Sequence, residues 1–571
     1  MGPQLNIMVG GEAGQGVQSV GFILAKALAR GGYHIFADQD YESRVRGGHN
    51  FYRIRAADSE IAAIAGSVDV LVALNSETIS LHKGELADRG VIVFDAEKVK
   101  DTAGVKSTFG VPLDKLAVEK AGEKLMANTV AVGVCLGLVR YDFEILEQVL
   151  KEYFKGSEIA EKNVQAARAG YEYARDNFKG DFNSRLSPIS KVKRMLLNGN
   201  EAMALGAIAA GCKFMAAYPM TPVTSIMEYM AGRADEFGLV VVPAEDEIAA
   251  INMTIGAGYA GVRAMTVTSG SGFCLMTEGL GLAAMTETPV VVVVGQRPGP
   301  AIGLPTRTEQ GDLQFVLYAH QGDFPRAVLA PATIEDCFQL TVKAFNLADK
   351  YQIPVIVLTD HVLANSYSTV EKLDLSKVTI DRGLLNSDKE ADEAEYKRYK
   401  ITPSGISPRA FPGQGKSLVV ADSDEHDEAG HLIEDAETRI KMMDKRLRKL
   451  TGLSKETAAL ELYGPKQAVT LLIGWGSTCG AIREAVDILG KEGASVNSLS
   501  LNEIWPFPGE AIADILNKAR KTFVIENNAS GQMARLIRTE TGIKVSGNIL
   551  KYDGRPFTPD EIVKAVKKEG G

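Results

Sequence analysis

Cysteine is scarce. Five residues (Cys135, Cys212, Cys274, Cys337, Cys479) are spread over 571 positions, none close to another. That spacing excludes a CxxC redox pair, a zinc signature and a ferredoxin-type run of cluster ligands within this chain. The seven histidines form no HExxH or HxxxH pair, and the nearest two, His426 and His431, fall in an acidic loop-like stretch, so no protein-bound metal is expected. Long apolar runs are missing as well: none reaches the ~18 residues of a membrane span. "TPVVVVVGQ" is short, β-branched and bounded by proline and glycine, which predicts a buried strand. The N-terminus, "MGPQLNIMVGGEAGQG", enters strand-like sequence without a basic and apolar leader, and a cytoplasmic protein is expected. Surplus positive charge is absent too. A net charge of −9 disfavours nucleic acid and anionic membrane as partners.

Glycine, by contrast, is abundant: 57 residues, as expected of many tight turns between strands and helices. The length exceeds what a single core supports and predicts about three to four domains. Residues 1–180 alternate strand-like "LNIMV", "YHIFA", "VDVLVAL" and "GVIVFD" with helical segments, a βαβ pattern that implies a mostly parallel sheet. A second α/β unit spans 195–385, with "KFMAAYP", "LVVVP", "RAMTVTS", "PVVVVVG" and "PVIVLTD" as strands. A polar connecting segment, 386–465, contains the basic "KRLRK", which is read as a solvated helix face rather than a nucleic-acid patch. A third α/β unit covers 466–571. The fold class is therefore α/β, with three open, mostly parallel domains.

Several stretches carry chemistry. In "MVGGEAGQGVQSVG", Gly14 and Gly16 open a helix after a strand, where backbone N–H groups can cradle a phosphate or simply make a turn. Asp38 follows the second strand roughly where a ribose-binding acid would lie, so a dinucleotide-dependent oxidoreductase is one reading, weakened by Ser19 at the third glycine position. Arg44 and Arg46, in "DYESRVRGGHNFYRIR", suit an acidic or phosphate group or are solvated charge. Thr221 lies in a proline-bracketed turn, "YPMTPVT", where it or Thr224 could equally cap a helix. Ser269-Gly270-Ser271-Gly272 opens a nearly uncharged helix, and Arg297 leaves the most apolar strand into "GPAIGLPTRTEQGDL". In "VVPAEDEIAAINMTIGAGYAG", Glu245, Asp246 and Glu247 precede an apolar helix, as caps or as a carboxylate aimed into a site.

Taken together, Glu247, "YPMTP", "TSGSG", Arg297 and "GLPTRTEQGDL" resemble the α subunit of the 2-oxoacid:ferredoxin oxidoreductases. "GGEAGQG" and "ESRVRGGHN" resemble that family's γ unit, fused ahead of α. "GISPRAFPG", "DEHDEAGHLIED" and "IENNASGQMARLIR" extend the resemblance over nearly the whole chain, most like the 2-oxoglutarate-type members. It implies a γ-type domain, a thiamine pyrimidine-binding-type domain and a transketolase C-terminal-like domain. The implied reaction is coenzyme A-dependent oxidative decarboxylation of 2-oxoglutarate to succinyl-CoA, with pyruvate or a branched-chain 2-oxoacid as alternatives. The cofactor would be thiamine diphosphate, activated by a buried carboxyl at N1′ of its pyrimidine, the position Glu247 matches. Arg297 would pair with the substrate C1 carboxylate, Thr221 would donate a hydrogen bond, and Arg307 would meet the distal carboxylate. Gly14, Gly16, Arg44 and Arg46 are candidates for coenzyme A. No GDG…N pattern for Mg²⁺ and diphosphate is present; the resemblance implies that these, and a [4Fe-4S] cluster, belong to a β subunit in an (αβ)₂ assembly serving ferredoxin. Where many members have Pro-Ser-Thr-Gly, this chain has Pro300-Ala301-Ile302-Gly303, which puts the substrate side chain in question. A non-catalytic assembly subunit, with its acids only as caps, is the remaining alternative.

Overall fold

The structure is a computed structural model that describes residues 4–44, 47–102, 104–156, 158–182, 184–190, 192–386, 396–416, 418–457 and 459–570. The chain divides into two compact units. One comprises residues 1–197 with 365–372 and 558–561, and the other holds the remainder. Three sheets flanked by helices make up the described residues, so the architecture is α/β.

The first unit contains an eight-stranded sheet that is mixed rather than mostly parallel. Strand Gln4–Ala13 pairs in parallel with Val68–Ala73, and the parallel run continues through Leu86–Asp95 to Thr108–Val111. On its other side Gln4–Ala13 is antiparallel to Gly47–Ala57, which is antiparallel to His34–Asp40. The reason is chain length. Only residues 41–46 join the last two strands, enough for a hairpin and too few for a parallel crossover. Strand Tyr367–Val370, far away in sequence, then adds antiparallel to His34–Asp40.

The helices of this unit approach each other unusually closely at glycine. Ala127–Leu138 crosses Glu158–Asn177 so tightly that a Cβ on Gly133 would meet the Ala167 carbonyl at 1.9 Å. A Cβ on Gly170 would meet the Val130 carbonyl at 2.1 Å. Backbone atoms cannot swing aside as a flexible side chain can, so the helices would have to separate. Gly170→Ala is therefore expected to cost about 1–3 kcal/mol despite alanine's better helix propensity. Thermal denaturation reads this directly, and an unchanged midpoint would mean the crossing has slack.

The second unit holds two sheets. The larger runs in the order Glu503–Trp505, Ala327–Leu329, Pro354–Asp360, Val290–Gln296, Ala264–Ser269, Phe214–Ala217, Val240–Pro243. All pairings are parallel except the Glu503–Trp505 edge. Every residue of the three strands Ala264–Ser269, Val290–Gln296 and Pro354–Asp360 is buried, as expected of a parallel sheet covered on both faces. The smaller, five-stranded sheet is built from Leu462–Tyr463, Val496–Ser500, Thr470–Gly474, Lys521–Glu526 and Gly547–Leu550.

The polar connecting segment is fastened down. Its helix Ala436–Leu453 buries Lys445, Arg446 and Lys449, so "KRLRK" is not a solvated face. Lys445 Nζ and Lys449 Nζ each lie 2.5 Å from a Glu287 carboxylate oxygen, and Arg446 makes a two-pronged pair with Glu425 at 2.9 and 2.7 Å. Burial favours the neutral acid at Glu287, but Lys445, Lys449 and Arg398 outweigh it and hold the carboxyl well below its ordinary range.

Candidate active site

In a parallel sheet the carboxyl ends of all strands open on one edge, and ligands bind there. Five of the chemistry-bearing stretches converge on that edge of the larger sheet. Phe214–Ala217 leads to Thr221, Val240–Pro243 to the three acids, Ala264–Ser269 to the Ser-Gly-Ser-Gly turn, Val290–Gln296 to Arg297, and Pro354–Asp360 to His361.

The three acids separate cleanly. Asp246 is the N-cap of helix Glu247–Tyr259, its Oδ1 accepting from the Ala249 amide at 2.7 Å. Glu245 is exposed. Glu247 is only 6% exposed, caps nothing, and turns its carboxylate onto Gly272. A Cβ at Gly272 would lie 2.4 Å from Glu247 Oε1 and 2.2 Å from Thr268 Oγ1, so glycine is what leaves room for both groups. Thr268 Oγ1 is buried without a hydrogen-bond partner. A buried carboxylate beside a spare hydroxyl, with a cap already supplied by its neighbour, is a group free to bond something else.

Arg297 is 8% exposed, and its Nη1 donates to the backbone carbonyl of Thr221 at 2.9 Å. The structure thus brings these two residues together. Neither Thr221 nor Thr224 caps the following helix: Val223 is the N-cap of Thr224–Ala231, with no side-chain bond. Asn200, which the sequence reading passed over, holds the turn by donating to the Pro222 carbonyl (2.8 Å) and to Ser225 Oγ (2.7 Å). Burial pulls Arg297 below its ordinary value, and Asp312 partly offsets this. Arg307 is half-buried, and its Nη1 bonds the Thr306 carbonyl at 3.1 Å.

His361 was also missed. It is 4% exposed, and burial followed by the fields of Arg307 and Arg297 pushes it down to about 3, so it is neutral near pH 7. The signal was present in "LTDHV", where an acid and a histidine end the strand after "PVIVL".

The "TRTEQGDL" loop is clamped by the smaller sheet. Gln310 Nε2 donates to the Trp475 carbonyl (2.6 Å), its Oε1 accepts from the Asn527 amide (3.0 Å), and Asn528 Nδ2 donates to the Gln310 carbonyl (3.0 Å). Gln532 Nε2 adds a bond to the Gly311 carbonyl at 2.6 Å. "IENNASGQ" is thus a holder for the loop that carries Arg307 and Asp312. Ile302 of the departing Ala301-Ile302 pair is 60% exposed on the preceding loop.

In the first unit, Gly14 (φ +90°) and Gly16 (φ +73°) adopt the left-handed region, and Gly16 is the N-cap of helix Val17–Arg30. Arg44 is exposed and pairs with Glu42 at 3.0 Å; Arg46 lies outside the described residues. Asp38 is not available to a ribose. It is taken by Arg53 in a two-pronged bond of 3.0 and 2.7 Å, and its strand is not a neighbour of Gln4–Ala13. The dinucleotide reading loses its acid on both counts. His49 belongs to strand Gly47–Ala57 and is buried against His82.

Comparison with known proteins finds three family models matched to successive stretches of the chain. Residues 205–445 match the family "Pyruvate flavodoxin/ferredoxin oxidoreductase, thiamine diP-bdg", 6–173 match "Pyruvate ferredoxin/flavodoxin oxidoreductase", and 468–562 match "Pyruvate:ferredoxin oxidoreductase core domain II". The chain is 34% identical to the 2-oxoacid:ferredoxin oxidoreductase subunit alpha of a Sulfolobus species, over 99% of this chain and 97% of the relative. It is also 34% identical to the 2-oxoglutarate synthase subunit KorA of Methanothermobacter marburgensis, over 65% of this chain and 97% of that one. A solved structure, 2-oxoglutarate:ferredoxin oxidoreductase from Magnetococcus marinus with 2-oxoglutarate, coenzyme A and succinyl-CoA bound, superimposes with a TM-score of 0.93. It shares 34% identity and covers 100% of both chains.

Proposed function

The chain belongs to the 2-oxoacid:ferredoxin oxidoreductases as their alpha subunit, and from that premise we propose that it acts on 2-oxoglutarate as a γα subunit. In this reading it converts 2-oxoglutarate and coenzyme A to succinyl-CoA and carbon dioxide, passing two electrons through a β subunit to ferredoxin. The observation that carries it is Glu247: buried, unneeded as a cap, and facing the space kept open by Gly272. That donor set fits the aminopyrimidine of thiamine diphosphate, which needs a proton-sharing carboxyl at N1′. When bound, the cofactor supplies the electron sink for decarboxylation.

The chain's own residues do the rest. Glu247 holds a proton at the pyrimidine edge. Arg297 receives the C1 carboxylate of the substrate, and its bond to the Thr221 carbonyl fixes the guanidinium plane for that contact. The Thr221 hydroxyl donates to the same substrate, and Arg307 receives the distal carboxylate. Gly14, Gly16 and Arg44 offer backbone N–H groups and a cation to coenzyme A. Mg²⁺, the diphosphate and the [4Fe-4S] cluster belong in this reading to the β subunit, in an (αβ)₂ assembly.

The choice of 2-oxoglutarate rests on the relatives named for it and on Arg307 as a second guanidinium on the loop that follows Arg297. Ala301-Ile302 favours the other reading, a different 2-oxoacid, because an exposed apolar pair replaces two hydroxyls. Co-expression with the β subunit, followed by coenzyme A-dependent reduction of a low-potential dye, tests both. Activity strongest with 2-oxoglutarate supports the first, and activity strongest with pyruvate or a branched-chain acid selects the second. Arg297→Met is expected to raise KM for the 2-oxoacid by about 10²-fold or more, since it leaves the substrate carboxylate buried and unpaired. An unchanged KM would remove Arg297 from the site.

A further inference from the structure

Asn200 is buried beyond what its own helix asks of it. It is the second residue of Gly199–Ala209, and that helix end is already capped: Asn198 Oδ1 accepts from the Glu201 amide at 2.8 Å, and Glu201 returns a bond to the Asn198 amide at 3.2 Å. Asn200 takes no part in this box, and asparagine is a poor residue inside a helix, yet its exposure is 0%. Its side chain is directed at the Thr221 turn instead, with Nδ2 donating to the Pro222 carbonyl at 2.8 Å and to Ser225 Oγ at 2.7 Å. The Pro222 carbonyl can only accept, so nitrogen must face it and the amide has one allowed orientation. That orientation leaves Oδ1 buried without a hydrogen-bond partner, a cost the turn contacts have to outweigh. From the other side the turn rests on strand Val290–Gln296: a Cβ on Gly295 would lie 2.5 Å from Val223 Cγ1 and 2.9 Å from Pro222 Cγ. Arg297, at the end of that strand, holds the Thr221 carbonyl at 2.9 Å.

We propose that Asn200 is a positioning residue of the 2-oxoacid site, fixing through the Pro222 carbonyl the turn that presents Thr221 and seats Arg297. This rests on the reading that Thr221 and Arg297 meet the substrate. The carbonyls of Thr221 and Pro222 belong to adjacent planar peptides hinged at the Pro222 Cα. The pyrrolidine ring locks φ at that hinge, so ψ of Pro222 is the one soft angle between the two planes. Arg297 holds the first plane and Asn200 holds the second. With both bonds made the angle is set, and the Cα of Thr221 keeps one place relative to the Arg297 guanidinium. Without the Asn200 bond the Thr221 peptide can turn against strand Val290–Gln296, and hydroxyl and guanidinium no longer address one carboxylate together. Asn200 touches neither substrate nor cofactor in this reading; its effect passes through the backbone.

Asn200→Asp in the assembled enzyme tests it, because the shape is kept while the donor is lost. Where it is ionised, the new carboxylate offers only acceptors to the Pro222 carbonyl. At alkaline pH kcat/KM for the 2-oxoacid is expected to fall about 10²-fold, the scale of a reactant misplaced by about 1 Å. The loss should appear as a raised KM for the 2-oxoacid with KM for coenzyme A unchanged. As pH falls through the carboxyl pKa, which burial raises, the protonated acid regains a donor and the ratio of variant to wild type recovers. Asn200→Ala, with no charge to bury, is expected to show the same KM split without the recovery. A merely structural residue would lower the amount of active enzyme, and so the apparent kcat, with both KM values unchanged. Unchanged KM values in the folded variants therefore overturn the proposal. So does a rise shared by coenzyme A, or a loss confined to Asn200→Asp that leaves Asn200→Ala at wild-type values. If neither variant assembles, Asn200 belongs to the fold alone and the proposal fails. Arg297→Met separates the two readings. If it raises KM while the Asn200 variants do not, only the proposal falls; if it leaves KM unchanged, the substrate reading falls and takes the proposal with it.

Discussion

Glu247→Gln, assembled with its partner subunit, is expected to lose about 10²–10⁴-fold in turnover while the complex still purifies intact. The substitution is nearly isosteric, so it changes one thing: whether the group can hold and release a proton. Stability should barely move, because the helix end is capped by Asp246 through the Ala249 amide and Glu247 takes no part in it. Asp246→Ala makes the complementary control, expected to cost about 1 kcal/mol of stability through the lost cap and to spare turnover. A dye-reduction assay and a thermal melt on both variants separate the roles. If Glu247→Gln turned over normally, the assembly-subunit reading would stand and the thiamine mechanism would need another acid. If both variants lost activity in proportion to stability, the helix end alone would be at issue.

The pair also shows what sequence could and could not resolve. That one of three consecutive acids could turn inward rather than cap was readable from the apolar character of the helix behind them. Which one did so depended on backbone angles at the helix start, and Asp246 in extended conformation hands the helix face to Glu247. The strand ends were legible because β-branched runs stop at glycine and proline, so Thr221, Ser269 and Arg297 fell at loop starts. The hairpin at 34–57 was absorbed into a βαβ run because its second strand, Gly47–Ala57, is charged and polar enough in "GGHNFYRIR" not to have been counted among the expected strands. Pairing of Tyr367–Val370 with His34–Asp40 joins residues more than three hundred positions apart, which no local pattern encodes. His361 escaped for the same reason: it looks ordinary in its own segment and gains meaning only where the strand ends gather in the folded sheet.

Glu287→Gln is expected to destabilise the protein by about 3–5 kcal/mol, the cost of stranding buried charge without its partner. Lys445 and Lys449 are 0% and 1% exposed, and both ammonium groups point at this one carboxylate. Arg398 adds a third cation, donating to the Glu287 carbonyl at 2.7 Å. The backbone of Glu287 itself lies in the left-handed region (φ 48°), which for a non-glycine residue costs about 1 kcal/mol and persists only because its surroundings insist on it. A lid that opened in each catalytic cycle would have to pull two lysines off this carboxylate every time. The connecting helix Ala436–Leu453 is therefore a strap: Glu287→Gln should lower the melting temperature and expose the segment to protease, with kcat of the surviving folded enzyme little changed. A lid would show the reverse, a shift in kcat with little loss of stability. Replacing three of these four charges together, as Glu287→Leu with Lys445→Met and Lys449→Met, should recover part of the lost stability, because it removes their desolvation penalty while Arg398 keeps its bonds to the backbone carbonyl at 287 and to Gln352 Oε1. If the triple variant were as unstable as the single one, the cluster would be supplying something other than charge balance, and the packing of Tyr399 against it would be the next place to look.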